Sequence, residues 1–75
     1  MIVAAVDYYR QRKAERRERR VRGVIGHVIA GLDDGVHPAE IARTVGMGLR
    51  SLRHYLTRHQ RDDLALALWM RAGRP

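Results

Sequence analysis

The chain of 75 residues contains no cysteine and no long run of apolar residues. Without cysteine, the disulfides that often stabilise chains of this length are excluded, as are thiolate metal sites and cysteine nucleophiles, and this suits a reducing cytoplasm. A membrane-spanning helix needs about 18 or more apolar residues, whereas the opening MIVAAVDYY is apolar for only six. The opening also lacks a preceding basic segment and a following cleavage pattern. We therefore expect no secretory signal and no membrane partner.

Arrangements of side chains that carry out catalysis are also scarce. The four histidines are His27, His37, His54 and His59. No two of them stand three or four residues apart, the spacing at which a helix presents two metal ligands. The pairs Asp33-Asp34 and Asp62-Asp63 lie at predicted helix boundaries, which accounts for them without catalysis. The sequence has no nucleophile-base pair and no glycine-rich phosphate loop. We expect a protein that is not an enzyme and that has no metal and no cofactor.

Positive charge, in contrast, is abundant and concentrated. The net charge is +7, and residues 10–22, RQRKAERRERRVR, carry eight basic and two acidic side chains. Nearly all the basic residues are arginine, whose planar guanidinium binds phosphate in a forked geometry and is weakly hydrated. The segment predicts contact with a nucleic acid. The alternative is a solvated helix in which Glu15 pairs with Arg19 and Glu18 with Arg22.

Glycine and proline divide the remaining chain into helical segments. Apolar residues recur at helical spacing from Val21 to Leu32, which predicts a helix that begins within or before the basic run. It should end at Asp33-Asp34-Gly35, with Gly35 in the left-handed conformation. Gly23 and Gly26 weaken this helix, and we interpret them as sites where another element packs closely.

A second helix should begin at Pro38, since proline is tolerated in a first turn, and a third at Leu49, after the break Gly46-Met47-Gly48. Apolar spacing in the third helix predicts one inward face, formed by Leu49, Leu52, Tyr55, Leu56 and His59. The opposite face is predicted to be nearly all cationic, with Arg50, Arg53, His54, Thr57, Arg58 and Arg61.

The C-terminal segment is predicted to be a helix whose start Asp62 or Asp63 can cap, and both residues suit its first turn. Its large apolar side chains point in every direction around the helix: Leu64, Leu66, Leu68, Trp69 and Met70. A helix that is apolar all round is buried. Either it forms a dimer or partner interface, or it belongs to the core of this chain. The predicted organisation is an apolar start and arginine-rich helix or arm (1–22), a helical core (23–61) and a C-terminal apolar helix (62–75).

The segment GVHPAEIARTVGMGLRSLRHYLTRH, residues 35–59, resembles the helix-turn-helix domains of small bacterial and phage transcriptional regulators. It is also similar to the DNA-binding tail of serine recombinases. The resemblance depends on the small residues Ala42 and Gly46, four apart, and on the inward apolar positions Ile41, Val45, Met47, Leu52 and Tyr55. His37 and Gly48 stand where the family often has capping residues, and we expect both to weaken the helix starts. The resemblance implies an all-α fold with a trihelical helix-turn-helix core.

In such domains the second helix of the motif lies in the major groove of DNA. The resemblance implies that residues 49–59 form this helix and that Arg50, Arg53 and His54 contact bases. It implies backbone contacts for Arg43, Thr44, Thr57 and Arg58. The basic segment should add phosphate contacts, as a helix or as an arm in the minor groove, through Arg10, Arg12, Lys13, Arg16, Arg17, Arg19 and Arg20.

These observations predict a DNA-binding regulator of the phage or plasmid repressor type. We expect a homodimer, formed through the C-terminal helix, in the bacterial cytoplasm and associated with the nucleoid when bound to double-stranded DNA. One alternative is a protein-interaction module on the same scaffold, whose C-terminal helix docks on a host protein or RNA polymerase. Another is a phage assembly or packaging protein with non-specific DNA affinity. RNA binding is a weaker alternative, because Trp69 and three tyrosines form no stacking platform.

Overall fold

The computed structural model describes the backbone of residues 2–73 and the side chains of residues 7–73. Within that range the chain forms four helices and no strand, which confirms the all-α class: α1 (Ile2–Asp33), α2 (Pro38–Thr44), α3 (Leu49–Arg58) and α4 (Asp62–Arg71). No helix among the described residues combines the length and the apolar character that crossing a membrane requires.

Helix α1 has an exposed half and a packed half. Every side chain from Asp7 to Arg20 is exposed, whereas Val24 and Val28 are buried. The helix runs without interruption through the predicted boundary at residues 22 and 23, and the basic segment is helical in this structure rather than an extended arm. The long axis of the molecule is therefore set by α1, in a particle of 55 × 20 × 18 Å.

The other three helices pack around the second half of α1. Buried apolar side chains from all four helices form one core: Val24, Val28, Ile41, Ala42, Leu52, Leu56, Leu64, Ala65 and Leu68. Among the described residues no polar or charged side chain is buried. Ala42 is 1% exposed, so the predicted small residue does lie in the core, where a larger side chain would force its neighbours apart.

The closest approach to α1 occurs at a glycine that the sequence analysis did not single out. A Cβ atom at Gly31 would lie 2.8 Å from both Cγ1 and Cδ1 of Ile41. The prediction of close packing at Gly23 and Gly26 is wrong, since no atom lies within 4 Å of a Cβ built at either position. Both of these glycines are exposed, because the helices that cover α1 leave this side of it open.

Three successive helices end in the same hydrogen-bonding motif. The second residue after the helix is left-handed in each case, with φ of 75° at Gly35, 79° at Gly46 and 59° at Gln60. The next amide donates to the carbonyl five residues earlier, over 2.9, 3.0 and 2.8 Å respectively, which satisfies carbonyls that a helix end leaves free. Glycine marks the first two ends in the sequence. Gln60 adopts the conformation without being glycine, so the third end has no such marker.

The helix starts differ from expectation at two places. His37 does not weaken the start of α2: its Nδ1 accepts a hydrogen bond from the Ala39 amide at 3.1 Å, as a capping side chain does. The residue before α4 is Arg61, so the prediction that an aspartate caps this helix is wrong. The prediction that both aspartates suit the first turn is confirmed: Asp62 and Asp63 lie there, where their charge is favourable near the positive end of the helix dipole. Gly48 precedes α3 without a side-chain cap, as predicted.

Candidate nucleic-acid interface

Helix α3 presents a cationic stripe to solvent. Arg50, His54 and Arg58 are exposed and stand four residues apart, a spacing that places them on one face of a helix. Leu52 and Leu56, on the other side of α3, are 0% exposed. The core therefore fixes the rotation of α3, and this rotation turns the stripe outward.

Arg53 does not belong to that outward stripe. Its side chain is half-buried on the flank of α3 that faces α4, and its guanidinium carbon lies 5.7 Å from the centre of the Trp69 ring. The Nε atom is shielded from solvent and has no hydrogen-bond partner in the part of the chain that the structure describes. The prediction that Arg53 shares one exposed face with Arg50 and His54 is wrong, because α4 packs beside position 53.

An open groove of about 700 Å³ separates the exposed parts of α3 and α4. Its lining consists of Leu49, Arg50, Arg53, His54, Thr57 and Ala65. All three predicted base-contact residues therefore border one groove, although they reach it from different directions. No acidic side chain lines this groove, so its polar lining favours an anion.

The two predicted backbone contacts on α2 are both at the surface. Arg43 is exposed in the last turn of the helix. Thr44 is also exposed, but its hydroxyl donates to the Glu40 carbonyl at 3.0 Å. Only the acceptor capacity of that hydroxyl remains available, which makes Arg43 the better phosphate ligand of the pair.

The basic half of α1 carries its charge on one side. At about 100° per residue, seven basic side chains fall within one half of the helix circumference, a surface that we call the α1 basic face: Arg10, Arg12, Lys13, Arg16, Arg17, Arg19 and Arg20. Glu15, Glu18 and Arg22 lie on the other half. The ion pairs of the solvated-helix alternative do not form, since neither glutamate contacts an arginine among the described residues.

Two tyrosines extend this exposed segment. Tyr8 and Tyr9 are 55% and 72% exposed, and the guanidinium carbon of Arg12 lies 5.7 Å from the centre of the Tyr8 ring. The sequence analysis gave them no specific role. The signal available in the sequence was the four-residue spacing of Tyr8 and Arg12, which makes the two side chains neighbours on a helix surface.

Helix α1 and the end of α3 lie side by side at one end of the bundle. A shallow groove of about 400 Å³ there is lined by Arg17, Glu18, Val21, Arg22 and His59. His59 is the residue that follows α3. The basic half of α1 therefore projects past the C-terminal end of α3.

The apolar residues of α4 divide into two groups. Leu64 and Leu68 are 8% and 0% exposed and belong to the core of this chain, so they are not available to a partner. Leu66 and Met70 are both 55% exposed, and Trp69 is half-buried. Leu64 and Leu68 thus agree with the alternative that α4 belongs to the core, whereas Leu66 and Met70 remain available for the alternative of an interface.

Arg61 forms an ion pair with Asp63, which occupies two donors of its guanidinium. Its Nε and Nη2 atoms each donate to a carboxylate oxygen of Asp63 at 3.2 Å. These hydrogen bonds lower the pKa of Asp63 and raise the pKa of Arg61. The predicted place of Arg61 on the cationic face of α3 is not observed, since Arg61 lies in the turn before α4 and pairs with Asp63. Within residues 7–73, no three histidine or acidic side chains come together as metal ligands.

Compared with known protein families, with curated proteins and with solved structures, the chain matches none. Its function is therefore argued from the geometry of its own residues.

Proposed function

We propose that the chain is a DNA-binding protein that places α3 in the major groove of duplex DNA. The observation that carries the proposal is the stripe of Arg50, His54 and Arg58, turned outward by a helix whose other side is locked in the core. Arginine can donate two hydrogen bonds to the O6 and N7 atoms of guanine. Arg50 stands in the first turn of α3, the part of a groove-binding helix that reaches base edges.

The connection between α2 and α3 supports a helix-turn-helix interpretation. Four residues separate the two helices, and the turn takes its geometry from the positive φ of Gly46. α2 has Arg43 exposed at the end nearest this turn. In the proposed complex α2 crosses the DNA backbone and Arg43 contacts a phosphate, while α3 lies in the groove.

The α1 basic face supplies the second part of the proposal. Its seven cations are exposed and free of ion pairs within the described residues. Cations that neutralise phosphates release counterions, which gives affinity without sequence preference and with a strong dependence on salt. We assign this face to phosphate contacts outside the groove that α3 occupies.

The resemblance of residues 35–59 favours a small transcriptional regulator of repressor type, working as a homodimer on duplex DNA in the bacterial cytoplasm. Two-fold symmetric regulators bind half-sites about one helical turn apart. For the dimer contact, α4 offers Leu66 and Met70, both of which are exposed. This is a smaller surface than the five apolar residues predicted from the sequence.

The test is a selection of bound duplexes from a random pool, repeated at several salt concentrations. We expect an enriched palindrome, and we expect Arg50→Ala to cost about 1–3 kcal/mol on that site and little on random DNA. The triple variant Arg12→Gln, Arg16→Gln, Arg19→Gln should weaken binding to every sequence and reduce the salt slope by about 0.9 per lost contact. Arg22→Gln, on the opposite side of α1, is the control and should change affinity least.

The outcomes separate the alternatives. Salt-sensitive binding without an enriched motif contradicts base reading by α3 and favours the assembly or packaging function. A chain that binds no duplex at low salt contradicts the whole proposal.

The exposure of Leu66 and Met70 favours one second candidate, a protein-interaction module that docks through α4 on a host protein or RNA polymerase. Its test is the Leu66→Asp variant, because Leu68 is fully buried and its replacement by a charge would unfold the chain. Loss of a partner with Leu66→Asp, together with retention in Arg50→Ala, supports this function over DNA binding.

A further inference from the structure

Arg53 has an unused donor in a confined place. Its Nε is buried and unpartnered in the described residues, although buried N–H groups in folded proteins almost always have an acceptor. The same side chain borders the groove between α3 and α4. Because Nε is shielded, the terminal Nη groups of Arg53 are the donors that an acceptor entering this groove from outside can reach.

We propose that Trp69 is a positioning residue for DNA binding, and that it holds Arg53 so that the terminal Nη groups of its guanidinium receive a backbone phosphate. This inference depends on the proposed placement of α3 on DNA. It changes the role of Arg53 from base reading, which the sequence resemblance implies, to phosphate binding. It also makes α4 part of the DNA interface.

The chemistry of the groove favours a phosphate. A guanidinium binds phosphate side-on through two parallel N–H donors, and Arg50, His54 and Thr57 border the same groove with further donors. When a helix lies in the major groove, its outermost side chains face the base edges and its flanks face the two sugar-phosphate walls. Arg53 lies on such a flank, whereas Arg50, His54 and Arg58 form the outermost stripe.

The Trp69 ring restricts where the Arg53 guanidinium can go. A cation over an indole face is attracted by the electron density of the ring, and the two groups are 5.7 Å apart. An arginine side chain loses conformational freedom about several rotatable bonds when it binds a ligand. A side chain already held in the bound orientation loses less, and affinity rises accordingly.

Trp69 is the only tryptophan in the chain, so its fluorescence reports on the Arg53 guanidinium, whose carbon lies 5.7 Å from the centre of its ring. We expect a saturable change in its emission when the full-length protein is titrated with a short duplex, and a much smaller change with Arg53→Ala. Inorganic phosphate alone, at matched ionic strength, should leave the emission unchanged. Saturation by inorganic phosphate would make the groove a free anion site and overturn the assignment to DNA.

Affinity for a labelled duplex, measured by anisotropy, tests the positioning role. Arg53→Ala should lower affinity by a similar factor on every sequence and reduce the salt slope by about 0.9. Trp69→Leu should lower it about 3- to 10-fold, the range expected for one cation–aromatic contact. Because Trp69 acts through Arg53, the double variant should bind as Arg53→Ala does. Ile29→Leu, an apolar change at an exposed position on α1, is the control and should bind as the wild type.

Several results would overturn the inference while the proposed function stands. Additive losses in the double variant would assign Trp69 a purely structural role. A loss with Arg53→Ala that varies between sequences would return Arg53 to base reading. Should Trp69→Leu fold poorly, Arg53→Lys decides the matter, because lysine keeps the charge but lacks the guanidinium fork, and wild-type affinity would contradict the proposal. Failure of the wild type to bind duplex DNA would contradict the proposed function itself.

Discussion

The exposed half of α1 and the bundle of residues 24–71 are stabilised by different interactions. The first has no buried side chain from Asp7 to Arg20 and carries most of the net charge. The second contains the apolar core, and its described residues bury no charged side chain. In this chain the surface proposed to bind DNA phosphates and the residues that hold the fold together are therefore largely separate sets.

The exposed half remains helical because it continues a helix that is nucleated elsewhere. Isolated helices shorter than about 12–15 residues are marginal in water, since the first turn fixes several residues for one hydrogen bond. Packing of Val24 and Val28 in the core fixes the first helical turns inside the bundle. Each residue added toward the N-terminus then gains one hydrogen bond, even though like charges on the α1 basic face repel one another.

The largest effect on stability should come from the core. Leu52→Ala removes a side chain that is 0% exposed and should lower the free energy of unfolding by about 2–5 kcal/mol. Thermal denaturation followed by circular dichroism measures this loss. Leu66→Ala, the same change at a side chain that is 55% exposed, should cost far less. Equal losses at both positions would contradict the placement of Leu66 outside the core.

Two glycines on α1 test where the packed half begins. Gly31→Ala puts a methyl group 2.8 Å from Ile41 and should destabilise the chain by about 1–3 kcal/mol, as overpacking does. Gly26→Ala meets no atom within 4 Å and should stabilise the helix by about 1 kcal/mol. Urea denaturation of both variants measures the two changes in the free energy of unfolding, which should have opposite signs. A stabilising Gly31→Ala would mean that Ile41 moves aside without cost.

A substitution at Gln60 should change the stability of the bundle by a smaller amount, in the stabilising direction. Its φ of 59° costs a residue with a Cβ about 1–2 kcal/mol relative to right-handed backbone. Gln60→Gly removes that strain, offset in part by the greater freedom of glycine in the unfolded chain. The variant should melt at a higher temperature than the wild type, and a lower melting temperature would show that the side-chain contact of Gln60 with the Arg58 carbonyl outweighs the strain.

The smallest effect on the bundle is expected from Ala14→Gly, in the exposed half of α1. The change lowers local helix stability by about 1 kcal/mol, so the helical signal in circular dichroism should fall. Trp69 fluorescence, which reports on the bundle, should show an unchanged melting midpoint because no core residue contacts this segment. Coupled shifts of both signals would mean that the two regions unfold together.

The sequence predicts the local features of the fold well and its contacts between helices poorly. Pro38, Gly46 and Leu49 mark the bounds of α2 and α3 because turn geometry and helical spacing depend on neighbouring residues. The contact of Gly31 with Ile41 and that of Arg53 with Trp69 join residues on different helices, and no pattern along the chain encodes them.

The helix ends show the same limit on a smaller scale. Glycine identifies the left-handed residues at two ends, but Gln60 takes this conformation without being glycine. Likewise, the Nδ1 atom of His37 acts as a cap although histidine is not among the residues preferred there. For the candidate interface, the outward direction of Arg50 and His54 follows from helical spacing, whereas the sideways direction of Arg53 depends on α4.

The length of α1 determines how much DNA the protein covers in the proposed complex. Residues 7–20 extend about 21 Å at 1.5 Å per residue, which corresponds to about six base pairs at 3.4 Å each. This extension projects past one end of α3 only, so a nuclease footprint should be longer on one side of each α3 contact than on the other. Duplexes trimmed on that side should lose affinity while they keep the bases that α3 reads.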